Sequence, residues 1–269
     1  MPNPKVVLIA GSGHGGTTIL NMALGQHPAI FATGKLRDFP HGGLFIEENV
    51  CSCGEPAKIC PFWVEVRERY LPFQEGADRK RIPQLFQIIT DLSAREFVGD
   101  VTHNVGYAEQ LLRTPGIDLY LVHVVRDGRG VVYSRIRKDY RIGRLDKAGW
   151  KHVQRVFTVS RRWAWHVKQF GRLERELDTK AVRISYETLC SDPRSALNKV
   201  GKCLNLDFTD IGEQLAAGQP FQPIPHLIRG NAVLRTKKDI VLRYDTAYRT
   251  AMPPLDLATF RIASKLPIF

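Results

Sequence analysis

The chain has 269 residues, 43% of them hydrophobic, which suits one large α/β domain over residues 1–269 and excludes a disordered or repeat protein. A formal charge of +12 and an isoelectric point near 9.7 point to an anionic ligand, but the 39 Lys and Arg residues are interleaved with acids along the chain. Charge alone therefore does not choose among nucleic acid, a membrane surface and a phosphorylated molecule.

The first apolar run, residues 6–10, is β-branched and has no basic leader before it, so it reads as a buried parallel strand and not as a signal segment. Ile19, Leu20, Ala23 and Leu24 then recur at helical spacing up to Gly25, giving strand, loop and helix. Residues 31–37 form a second strand candidate, and the Gly, Pro and Cys content of 40–61 predicts a loop. Strands are expected at 96–101, 119–125 and 181–184, with the long apolar run 119–125 at the centre of the sheet. Helices are expected at 107–112, 130–138 and 156–177, where Val159, Trp163, Phe170 and Leu173 are read as a core-facing stripe. Asp192-Pro193 starts another helix as cap and first-turn proline, 219–225 is a Pro-rich loop, and 255–264 is a terminal helix. The alternation specifies an α/β fold, a P-loop-like parallel sheet with helices on both faces. No stretch approaches a membrane span, and the chain reads as cytoplasmic.

Five cysteines and no secretory leader argue against a disulfide framework. Cys51, Cys53 and Cys60 would need a fourth ligand to hold zinc, and His41 is the nearest candidate. The C-x-C spacing is unusual for such a site, so the thiols are read as reduced and locally packed, and no metal is expected.

Chemistry enters with Gly11-Ser-Gly-His-Gly-Gly-Thr17-Thr18, placed between the first strand and its helix. Backbone N–H groups of such a loop, together with the helix N-terminus, form an anion site. The pattern matches the phosphate loop of nucleotide-binding enzymes at Gly11, Gly16 and Thr18, but Thr17 replaces the lysine that reaches the β- and γ-phosphates of a nucleoside triphosphate. A second segment puts Arg126 at the carboxyl end of strand 119–125 and Ser134 two turns into the next helix, where a guanidinium and a hydroxyl suit a phosphate dianion.

A Gly-rich loop with two threonines and no lysine, followed by Arg with Ser eight positions later, resembles the sulfotransferases that use 3′-phosphoadenosine 5′-phosphosulfate (PAPS) and release 3′,5′-adenosine bisphosphate (PAP). Gly34–Arg37, the Cys51–Trp63 segment, Tyr186-Glu187 with Asp192-Pro193, and His226–Asn231 look like bacterial members of that superfamily. The resemblance implies the sulfotransferase fold, a metal-independent transfer and a small-molecule or carbohydrate acceptor, without nucleic acid. It assigns Gly13, His14, Gly15, Gly16, Thr17 and Thr18 to the phosphosulfate, and Arg126 and Ser134 to the 3′-phosphate. Arg229, Gly230 and Asn231 would close over that phosphate, and Tyr186 would lie near the adenine. Many relatives have Lys or Arg at His14, so His14 would need a proton to do the same work on the leaving oxygen. Lys35 stands where a catalytic Glu is found in tyrosylprotein sulfotransferases, so that role does not transfer. Thr102-His103 looks like the Thr-His pair of cytosolic sulfotransferases, which makes His103 the expected general base, with a pKa near the usual ~6.5, and Asp100 its reserve. The alternatives are a P-loop kinase or NTPase with Asp127 as metal ligand, and a basic nucleic-acid-binding module.

Overall fold

The computed structural model describes residues 2–41, 50–73, 81–146, 149–222, 224–229 and 240–266. Five strands, β1 (Lys5–Gly11), β2 (Ile30–Gly34), β3 (Phe97–Thr102), β4 (Asp118–Val125) and β5 (Ala181–Ser185), form one parallel sheet in the order β2-β3-β1-β4-β5. Between and after them come α1 (Thr17–Leu24), α2 (Pro61–Tyr70), α3 (Arg81–Ser93), α4 (Val105–Leu112), α5 (Gly128–Arg141), α6 (Trp150–Leu177), α7 (Tyr186–Ser191), α8 (Pro193–Leu204) and α9 (Thr209–Ala216). A single turn at Tyr248–Ala251 precedes α10 (Pro254–Ala263).

The sheet's centre is β1, not β4 as its length suggested. β1 has six buried residues in succession, whereas Asp118 and Tyr120 at the start of β4 are only half-buried. Alternation along β1 feeds two cores: Val6, Leu8 and Ala10 pack with α2, α3, α4 and α6, while Val7 and Ile9 pack with α1, α8 and α9. Each buried Val, Leu or Ile side chain here contributes about 1.5–3 kcal/mol through water-excluded area, which is why a continuous apolar run becomes a strand covered on both faces.

Topology and register set up one edge. The chain leaves β1 toward β2 on one side and leaves β4 toward β5 on the other, so the connections diverge between β1 and β4, where open α/β sheets leave a crevice. Ala10 pairs with Thr102 and Gly11 with Val124, so the strand ends are level. The loop after Gly11, His103 after β3 and Arg126 after β4 therefore emerge side by side.

Candidate active site

The loop from Gly11 to Thr18 closes on a Gly15 N–H to Ser12 O hydrogen bond of 2.9 Å and enters α1 through Gly16. Gly16 has φ of 98° and sits so close to Tyr186 that a Cβ would lie 2.5 Å from the ring. No L side chain fits there without moving the tyrosine. Thr17 is buried at the start of α1.

Two sequence-assigned partners meet this loop. His14 Nδ1 lies 2.9 Å from Ser134 Oγ on α5, and Arg126 Nη1 donates to His14 O at 3.1 Å. Arg126 is 6% exposed, its guanidinium lies 4.5 Å from the centre of the Tyr186 ring, and its Nη2 donates to the carbonyl and to Oδ2 of Asp245. Its Nε is buried with no partner among the described residues. A buried guanidinium with an unused donor is what an incoming oxyanion would satisfy. Tyr186 itself is packed against the loop and donates from its hydroxyl to Arg243 O at 3.3 Å.

In the free chain His14 is held neutral, whereas its assigned role asks for a proton. Burial first, then the charges of Arg135, Lys138 and Arg126, bring its pKa down to about 4. Those same cations give the loop its positive field. Arg135 and Lys138 were read in the sequence only among the cations of solvated helix faces, although they follow Val131 at helical spacing on α5, Arg135 next to Ser134 and Lys138 one turn beyond it.

His103 directly follows β3, and its Nδ1 lies 2.8 Å from Gly11 O. A carbonyl only accepts, so Nδ1 carries the hydrogen and Nε2 keeps the lone pair. A Cβ on Gly13 would stand 3.8 Å from His103 Cδ2, so a methyl group there would just touch the imidazole. The pKa is not near its usual value: burial, with the Lys35 charge next, lowers it to about 3. Asp100 faces elsewhere, its carboxylate accepting from Leu36 N and from the Tyr107 hydroxyl at 2.8 Å. Burial raises its pKa to about 7 against those two hydrogen bonds.

A cleft of about 510 Å³ opens beside this group, lined by Gly13, His14, His103, Arg135, Arg162 and Trp163 among others. His166 completes it. Its Nδ1 lies 3.3 Å from Ser12 Oγ, its ring is hydrogen-bonded to the His103 backbone, and burial lowers its pKa to about 4. The sequence offered no sign of this residue beyond its place on α6. Trp163, read as core, instead lines the cleft and donates from Nε1 to Arg126 O at 3.0 Å; Phe170 and Leu173 are core as expected.

Other assigned residues fall further away or outside the description. Arg229, with φ of 59°, pairs with Asp38 near the end of β2, three positions from β4 in the sheet. Gly230 and Asn231 lie outside the described residues. Asp127 caps α5 by accepting from Arg129 N, and its carboxylate is held by the Arg129 guanidinium and the Tyr248 hydroxyl. Both carboxylate oxygens are thereby engaged.

A sulfotransferase family model matches residues 4–210, and the chain belongs to that family. Fold and family together make it an enzyme, a sulfotransferase. Among solved structures, it is similar to the sulfotransferase domain from the curacin biosynthetic pathway, with 19% identity, a TM-score of 0.62, and 99% of this chain and 100% of that one covered. The sulfotransferase domain from the Synechococcus PCC 7002 olefin synthase gives 17%, 0.60, 99% and 98%. Mouse sulfotransferase SULT7A1 complexed with PAP gives 12%, 0.52, 96% and 82%. A search of the curated proteins found no match. Among the described residues no helix is long and apolar enough to cross a membrane.

Proposed function

We propose that residues 1–269 act as one sulfotransferase domain that takes the sulfuryl group of PAPS and passes it, without a metal, to a hydroxyl or amine of a small-molecule or carbohydrate acceptor, with His103 as general base. The observation that carries this reading is the His103 Nδ1 to Gly11 O hydrogen bond, which leaves Nε2 unprotonated with its lone pair free on a ring that lines the cleft beside the anion loop. PAPS supplies a sulfuryl group already attached to a good leaving group. The loop amides, the unused Arg126 Nε and the charges of Arg135, Lys138 and Lys35 fit such an anionic donor and reduce the need for a divalent cation. Gly13–Thr18 would hold the phosphosulfate, Arg126 and Ser134 the 3′-phosphate, and Tyr186 the edge of the adenine pocket. Arg229, Gly230 and Asn231 would complete the phosphate site.

In the transfer, the acceptor's O–H or N–H gives its proton to His103 Nε2 as its oxygen or nitrogen bonds to sulfur. The bond from sulfur to the 5′-phosphate oxygen breaks, and that oxygen keeps the electron pair as PAP leaves. Catalysis of this kind is mostly positioning and charge stabilisation. Trp163 and Trp165, with Arg155 and Arg162, line the acceptor side and suit a ring-bearing polar molecule.

The kinase reading loses support from Asp127, whose carboxylate is already engaged by Arg129 and Tyr248. Melting curves with PAP, with ATP and Mg²⁺, and with duplex DNA test the proposal. PAP at a hundred times its dissociation constant should add about 2.7 kcal/mol of stability. A shift with ATP and Mg²⁺ but none with PAP would reverse the order of the two readings.

A further inference from the structure

Outside the donor site, Cys51, Cys53, Cys60 and His226 bring their ligand atoms within 4.8 Å of one another. The fourth residue is not the one suggested by the sequence: the His41 side chain is outside the description, and His226 arrives from a segment 166 positions beyond Cys60. We infer that these four side chains form a closed structural zinc site that ties the 50–60 loop to the turn leading into Arg229.

Four of the six separations lie close to what the ion requires, and all six are within 4.8 Å. Tetrahedral zinc with bonds of about 2.3 Å to sulfur and about 2.0–2.1 Å to nitrogen requires ligand pairs roughly 3.8 Å apart for S···S and roughly 3.6 Å apart for S···N. Cys60 Sγ lies 3.6 Å from Cys53 Sγ and 3.7 Å from Cys51 Sγ; His226 Nδ1 lies 3.3 Å from Cys60 Sγ and 3.9 Å from Cys51 Sγ. Three sulfurs and an imidazole converging on one point exceed what a disulfide could use, and soft thiolates with a nitrogen are the donor set zinc prefers. With four protein ligands there is no open position, so the site is structural and not catalytic.

The backbone is arranged around that point. Cys51 N–H donates to Glu55 O and Gly54 N–H to Cys51 O, folding the C-x-C into a tight turn. Ser52, between the two cysteines, donates from Oγ to Ile224 O and accepts from Leu227 N, gripping the chain on both sides of His226. His226 itself is held at φ of 60°, an uncommon conformation for a non-glycine residue, by the Trp63 Nε1–H bond to its carbonyl and by Phe62 stacked at 5.0 Å. Ile228 then bridges to Gly34 at the edge of β2. The ion would lock this path and fix where Arg229 begins.

Metal analysis of the purified chain, made without a chelator and with any affinity tag removed, should find one zinc per molecule. A mercurial reagent should release it in step with blocking of the thiols, and cobalt(II) substituted for zinc should give thiolate charge-transfer absorption and tetrahedral ligand-field bands. Because Cys53 is exposed, Cys53→Ser should fold yet lose the metal on desalting and melt earlier, while Cys190→Ser, outside the cluster, keeps it. A metal-free chain with three titratable thiols in the cluster, or with a disulfide there, would overturn the proposal, as would a Cys53→Ser variant that retains full zinc.

Discussion

Arg126 and Asp245 form an ion pair of 3.0 Å across the loop face, with the arginine almost fully buried and the aspartate 44% exposed. Any dianion bound by the guanidinium must share it with this carboxylate. Asp245→Asn removes the competing charge and keeps the carbonyl contact. Half-exposed pairs contribute about 0.2–1 kcal/mol, so PAP should bind up to about fivefold more tightly, with the gain shrinking at high salt. Calorimetry measures this, and weaker binding would mean that Asp245 orders the site instead of competing for it.

Arg126→Ala should weaken PAP much more than adenosine 5′-phosphosulfate, because only PAP carries the 3′-phosphate. The difference should be roughly 1.5–3 kcal/mol, the usual range for a hydrogen bond to a charged group. Equal losses would place the guanidinium on the phosphosulfate.

Gly16→Ala should cost stability and donor binding together. The φ of 98° alone costs an L residue about 1–2 kcal/mol, and the new methyl would meet Tyr186 at 2.5 Å. Gly218→Ala is the control, since Gly218 has φ of 72° with nothing within 4 Å of its Cβ position. It should lower the melting temperature while leaving PAP affinity unchanged; loss of PAP binding in both variants would point to general strain and not to the loop.

Much of this architecture is legible in sequence because burial writes itself into runs. The five strands were each anticipated within a few residues, and the loop, Arg126 and Ser134 were read from residue type and place, whereas His103 was singled out only through the resemblance to sulfotransferases. What was missed had a physical reason. The centrality of β1 depends on pairing order, which strand length does not encode. The stripe Ile82, Leu85, Phe86 and Ile89 on α3 was readable, but its neighbouring polar stretches hid it. Asp245, His166 and His226 belong to the site or the cluster only through contacts across more than a hundred residues of chain, and no local pattern announces such a meeting.

His103 should resist protonation in the free protein. Its pKa is lowered from 6.5 to about 3, so the neutral form persists as pH falls from 8 to about 4 and is lost only below that. Nitrogen NMR of the labelled imidazole should find hydrogen on Nδ1 and none on Nε2 across this range. Lys35→Met, which removes a depressing charge, should move the titration upward. A His103 that titrates between pH 6 and 7, or that carries its hydrogen on Nε2, would contradict the geometry.

Turnover and PAP affinity measured together on His103→Ala test the central claim most directly. The assay follows PAP release from PAPS against a panel of phenol, sugar and amine acceptors, and calorimetry gives the affinity of the same preparation. A positioned general base contributes about 10²–10⁴-fold, so turnover should fall by that factor while PAP binds as tightly as before. Full turnover in the variant, or a parallel collapse of PAP binding, would contradict the assignment of His103 as the base.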